Sequence, residues 1–115
     1  MGGDNTLNDF RHIPRKRFGQ HWLKDQGVLD QIVKAAELNP EDCVLEVGPG
    51  KGALTEKLIE SQARFIQAIE LDRDLVIGLK KRFSHQNKFS LREGDILSAP
   101  LDTENGLTIN KVVAN

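Results

Sequence analysis

A single cysteine, Cys43, leaves the chain unable to form an internal disulfide or a multi-cysteine metal site. Its place in an apolar run reads as a small buried hydrophobe rather than a reactive thiol. No apolar run approaches the length needed to cross a membrane. The opening MGGDNTLNDF has no apolar core of a signal peptide, and its acids argue against a transit peptide. Prolines are also scarce, 4 in 115 residues, and with 38% hydrophobic and 29% charged residues nothing suggests disorder or a fibrous repeat. His12 and His85 have no partners at ligand spacing, so no metal is expected. These absences leave a single domain in a reducing aqueous compartment, with the cytoplasm as the expected location and no membrane partner.

A strong charge of either sign is lacking too, since the formal net charge is only −1. Its distribution is uneven, however. Between Phe10 and Lys24 fall five of the 16 lysines and arginines and none of the 17 acids. A basic arm on an acidic body is therefore expected over residues 1–24, with the folded part over 25–115. Arg11, Arg15, Lys16 and Arg17 could contact nucleic-acid phosphates, or the arm could be only a solvated tail. Phe18 is expected to pin the arm to the first helix, and Trp22 to have a mixed role.

Apolar residues at 28, 29, 32, 33 and 36 recur with helical spacing over Asp25 to Asn39, where Asn39-Pro40 ends the pattern. A second rhythm follows. CVLEV (43–47), FIQAIE (65–70), FSLREGD (89–95) and KVVAN (111–115) read as strands, with helices over about 53–61 and 74–83. Alternation of this kind predicts an α/β, Rossmann-like parallel sheet covered on both faces. Domains of this sort normally have five or more strands, so the sequence reads as the N-terminal piece of a longer protein, truncated after the start of the fourth strand. A complete four-stranded domain is the alternative.

In an open parallel sheet, ligands bind at the carboxyl ends of the strands. Glu46, Glu70, Asp95 and Asn115 each fall at a predicted strand end, on one rim. Between Glu46 and the first helix lies Gly48-Pro49-Gly50-Lys51-Gly52, which is one residue tighter than a dinucleotide loop and lacks the Gly-Lys-Ser/Thr of a P-loop. Lys51 is expected to face solvent. An acid facing a pyrophosphate at 4 Å would be repelled by on the order of 1–4 kcal/mol, whereas a sulfonium and an ammonium would be attracted. S-adenosyl-L-methionine carries both cations and no phosphate. Two plainer assignments stay open: Glu46 as a solvent-exposed acid, and Asp95 as the N-cap of an Ile96-Leu97 turn.

Five segments, RKRFGQHWL, LEVGPGKGALT, IELDRDL, EGDIL and VVAN, occur in the order and spacing of one family. The chain from Arg15 to Asn115 resembles the ribosomal RNA adenine N6-dimethyltransferases, which modify two adjacent adenines near the 3′ end of small-subunit rRNA. This resemblance implies the class I methyltransferase fold, S-adenosyl-L-methionine as cofactor, and small-subunit rRNA or a small ribosomal subunit precursor as partner of a monomeric enzyme. It implies that Gln20, His21 and Leu23 lie over the cofactor's methionine end, with Trp22 where the family more often has Phe. Glu46 and Gly48, with Gly50 in the same loop, would line the methionine and ribose side. Glu70 would bind the ribose hydroxyls, with Leu71 packed on the adenine. Asp95 would accept from the adenine amine, with Ile96 beside it. Asn115 matches the first position of the Asn-x-Pro-Tyr/Phe motif, which is catalytic and also borders the cofactor; the rest of that motif and a helical RNA-gripping domain would follow it. A drug-resistance branch acting on large-subunit rRNA and a non-catalytic nucleic-acid-binding relative are the alternatives.

Overall fold

Short runs of β-branched and aromatic residues separated by amphipathic helical segments build one parallel sheet, and the computed structural model describes residues 25–99 and 102–115. In chain order the elements are α1 (Gln26–Ala36), β1 (Cys43–Val47), α2 (Ala53–Glu60), β2 (Phe65–Glu70), α3 (Arg73–Arg82), β3 (Phe89–Glu93), a 3-10 turn (Ile96–Ser98) and β4 (Lys111–Ala114). The strands lie in the order β3-β2-β1-β4, all neighbours parallel. The chain therefore steps outward from β1 to β2 to β3 and then returns to the other side of β1.

That order explains a departure from expectation. Helices on both faces are predicted by the alternating pattern, yet the described helices pack on one face only. Both crossovers, β1-α2-β2 and β2-α3-β3, run in the same direction, and right-handed connections then place α2 and α3 on the same side. The return from β3 to β4 contains only the 3-10 turn among its described residues. Leu29 of α1 joins Val44, Leu54, Leu58, Ile66 and Val113 in one apolar cluster. Under α3, Ala68, Val76, Leu79, Phe83 and Leu91 form a second. Side chains two apart on a strand share a face, which is why Val44, Ile66, Ala68 and Leu91 meet the helices.

The opposite faces of the central strands are buried as well, including Cys43, Leu45, Phe65 and Ile69. There Gln67, wholly buried, donates from Nε2 to the Ala68 and Ser90 carbonyls and accepts from the Glu104 backbone N–H. Cys43 is a buried free thiol, as its apolar setting predicts.

Element ends are set by side-chain caps. Asp25 accepts from the Val28 N–H and starts α1. The helix stops at Ala36, three residues before Asn39, because Glu37 turns left-handed with φ 49°. The freed carbonyls of Ala36 and Glu37 each accept from Lys111 Nζ at 2.8 Å, a cation set where the helix dipole favours one. Lys111 also pairs with Asp42 Oδ2 at 2.9 Å, so one ammonium joins α1, the entry to β1 and the start of β4. That ion pair, with hydrogen bonds from Asn110 and the Asn39 N–H, holds the Asp42 carboxyl down to about 2. At α3 the cap is Asp72, which accepts from the Asp74 and Leu75 N–H groups, so the helix begins one residue before the predicted Asp74.

Candidate functional site at the carboxyl ends of the strands

The glycine loop leaves the end of β1 and enters α2. Strand β1 runs one residue beyond Glu46, to Val47, and the Gly48 N–H then donates to the Ile69 carbonyl at 2.9 Å. Gly48 has φ 68°, and a Cβ built on it would meet nothing within 4 Å, so the backbone there is bare toward open space. Gly52 is the opposite case. With φ 97° it N-caps α2, and a Cβ there would sit 2.8 Å from Phe83 Cε2. This glycine is needed because α3 presses against the loop from behind.

Glu70, the last residue of β2, ties the rim together. Its Oε1 accepts from the Gly50 N–H at 3.2 Å and its Oε2 from the Asp72 N–H at 3.0 Å, while its carbonyl accepts from the Gly94 N–H. A carboxylate offers about four acceptor positions, so two remain. Beside it opens a cleft of about 610 Å³ walled by Gly48, Glu70, Leu71, Asp72, Asp95 and Ile96 among others. Leu71 is 70% exposed, a large apolar side chain standing at the cleft. Asp95 follows β3, which ends at Glu93. Its Oδ1 caps the 3-10 turn by accepting from the Leu97 N–H at 2.9 Å, as the N-cap assignment predicts, and its second oxygen is left for another donor.

Glu46 is not a solvent-exposed acid. It is 1% exposed and turned under the loop, where its Oε1 accepts from Thr55 Oγ1 of α2 at 2.5 Å. It does not line the cleft. Burial pushes its carboxyl up to about 7, with the Thr55 bond opposing the rise and the Glu70 charge adding to it. Near neutral pH the carboxyl is thus divided between its two forms, and a cation placed near it would draw it to the charged one.

Asn115 follows β4 across the topological switch. Register sets Ala114 beside Val47, so Asn115 comes level with Gly48 on the far side of β1. Its Nδ2 is buried without a hydrogen-bond partner among the described residues, an uncommon state for an amide donor. Gln20, His21 and Leu23, like Trp22, Phe18 and the basic Arg11, Arg15, Lys16 and Arg17, lie outside the described residues. Lys51 is exposed as expected. Three residues of the site escaped the sequence reading: Thr55, Asp72 and Arg82, the last of which donates to the Lys51 carbonyl. Asp72 alone carried a signal, as an N-cap type one residue ahead of the helix. Among the described residues no cluster of His, Cys, Asp or Glu could hold a metal, and no helix is long and apolar enough to cross a membrane.

A four-stranded parallel sheet in the order 3-2-1-4, a glycine loop after the first strand and acids after the second and third define the Rossmann-like fold of class I methyltransferases. Its likeness to solved structures agrees. Over 79% of this chain and 58% of the other, an RNA methyltransferase from Salinibacter ruber, solved with S-adenosyl-L-homocysteine, superposes with a TM-score of 0.66 at 21% identity. A dimethyladenosine transferase from Plasmodium falciparum gives 0.69 at 32% identity, over 80% of this chain and 32% of that one.

The sequence profile of the ribosomal RNA adenine dimethylases matches residues 11–111, and the chain belongs to that family. Among curated relatives, the ribosomal RNA small subunit methyltransferase A of Prochlorococcus marinus (strain NATL2A) is 98% identical over all 115 residues. The chain spans 40% of that relative's length.

Proposed function

We propose that the protein of which this chain is the cofactor-binding part transfers methyl groups from S-adenosyl-L-methionine to N6 of two adjacent adenines near the 3′ end of small-subunit rRNA. It would act as a cytoplasmic monomer on the small-subunit precursor. The observation that carries this reading is the Glu70 carboxylate, held between the loops after β1 and β2 with acceptor positions to spare beside an open cleft.

The residues fit the cofactor. Glu70 has free acceptor positions for a pair of ribose hydroxyls, exposed Leu71 an apolar surface for an adenine, and Asp95 a second oxygen for an amine. At Gly48 the missing side chain lets a ligand approach the backbone. Glu46 lies behind the loop as a carboxyl that gains charge when a cation comes near. When bound, the cofactor supplies an electrophilic methyl on a sulfonium.

The remaining work is positioning and charge placement by the chain's own groups. Adenine N6 is a weak nucleophile because its lone pair is delocalised into the ring. Asn115 can accept an N6 hydrogen through its side-chain oxygen and so turn the lone pair toward the methyl. Its buried Nδ2, unpartnered among the described residues, is consistent with a side chain that finds its partners in ligands. Residues 1–24 would form a basic arm, with Arg11, Arg15, Lys16 and Arg17 on RNA phosphates and Gln20, His21 and Leu23 closing over the cofactor. Residues 25–115 would form the N-terminal part of the methyltransferase domain.

The test is complementation. A protein of the relatives' full length carrying this sequence is expected to restore dimethyladenosine to the small-subunit rRNA of a methylation-deficient cell, and its Asn115→Ala form is not. Dimethyladenosine in large-subunit rRNA instead, or in neither, would contradict the proposal.

A further inference from the structure

The glycine loop is held from two sides, and only one of them is the cleft. On the cleft side are the backbone bond to Ile69 and the Glu70 carboxylate. On the other side stands Arg82, in the last turn of α3. Arg82 Nη1 donates to the Lys51 carbonyl at 2.6 Å, and Nη2 donates to Glu56 Oε2 at 2.8 Å in the first turn of α2. The guanidinium lies 4.9 Å from the Phe83 ring centroid, within cation–π range. The same ring occupies the space where a side chain on Gly52 would sit.

These contacts form a fork. One arm grips the loop's backbone, the other the start of the helix that follows, and both are anchored on the flat face of a buried aromatic ring. Gly52 gives α2 no side-chain cap, so the junction between loop and helix has little of its own to fix it. A rigid guanidinium with two parallel donors suits that task, which a single ammonium cannot copy. Arg82 and Glu56 are 42% and 55% exposed, so as an ion pair they add little to folding. What the fork can set is the shape of the loop.

We infer that Arg82 is a positioning residue for the cofactor: it holds the Gly48–Gly52 loop in its binding shape from behind, so that removing it weakens cofactor binding while leaving methyl transfer itself intact. The inference rests on the reading of the cleft as the cofactor site.

The experiment uses a protein of the relatives' full length carrying this sequence and its Arg82→Ala, Arg82→Lys and Glu56→Gln variants. S-adenosyl-L-homocysteine is titrated into each by calorimetry, and KM and kcat are measured on small-subunit rRNA. For Arg82→Ala, binding is expected to weaken about tenfold or more, from the lower end of the range for loss of one charge-assisted hydrogen bond. Its KM for S-adenosyl-L-methionine should rise in step, with kcat and the KM for RNA unchanged. Arg82→Lys should fall between, and Glu56→Gln, which keeps the Lys51 contact, should bind as the unsubstituted protein does. Unchanged binding in Arg82→Ala would overturn the inference. So would a Glu56→Gln defect as large as that of Arg82→Ala, because the ion pair rather than the loop grip would then matter. If Arg82→Ala fails to fold, Arg82→Lys decides by the same measure. If the unsubstituted protein takes up no S-adenosyl-L-homocysteine, it is the reading of the cleft that fails, and this inference with it.

Discussion

Replacing Glu46 with Gln should change how stability depends on pH, by an amount that follows from burial. The carboxyl titrates near 4.5 in an unfolded chain and about 7 in the folded one. Between those values the folded protein keeps a proton that the unfolded chain has released, so stability falls as pH rises. The loss is complete above about 7. At roughly 1.4 kcal/mol per unit, a rise from 4.5 to about 7 corresponds to about 3 kcal/mol. Glutamine has nearly the same shape, its side-chain oxygen can still accept from Thr55 Oγ1, and it does not titrate. Urea unfolding followed by circular dichroism at pH 5, 6, 7 and 8, without ligand, measures the difference. The stability of Glu46→Gln relative to the unsubstituted protein should climb by about 2–3 kcal/mol across that series, since part of the loss is already complete at pH 5, and flatten at the top. A difference that stays constant with pH would refute the reasoning, since it would mean that the folded carboxyl is charged throughout.

Gly52→Ala should lower stability by about 2–3 kcal/mol in a thermal melt, because a Cβ at φ 97° both strains the backbone and strikes the Phe83 ring. An unchanged Tm would mean that the loop and α3 are not in contact. Glu70→Gln should weaken S-adenosyl-L-homocysteine binding about tenfold or more in calorimetry, since an amide turns one acceptor into a donor facing the Gly50 or Asp72 N–H; equal affinity would remove Glu70 from the site. Asp42, held to about 2 against an ordinary 3.8, gives stability that is present above pH 4 and lost as pH falls toward 2. Lys111→Met should therefore move the midpoint of acid unfolding upward, and an unmoved midpoint would show the pair to be inconsequential.

Local pattern carried most of the architecture. The strands Cys43–Val47 and Phe65–Glu70 fall where the apolar runs place them, because β-branched and aromatic residues flanked by turn chemistry leave few alternatives. Asp95 and the rim acids were legible for the same reason: strand ends are readable, and the carboxyl end of a parallel sheet is where ligands sit. The orientation of Glu46 was not. Alternation says which face of β1 it takes, but not that the face is sealed by α2 or that Thr55 waits there. Long-range partners were equally hidden. Lys111 reaches α1 across 75 positions and Arg82 reaches the glycine loop across 31, and nothing within a helical or strand period marks either. The one-sided helix layer likewise depends on strand order, which periodicity does not encode.

The central claim is that the cleft beside Glu70 receives a cationic sulfonium cofactor rather than a diphosphate one. Calorimetric titration of the protein with S-adenosyl-L-methionine and, separately, with NAD tests it most directly. Saturable binding of S-adenosyl-L-methionine at one site, weakened about tenfold or more in Glu70→Gln, with no heat from NAD, is the expected result. Saturable binding of NAD, or of neither compound, would contradict it.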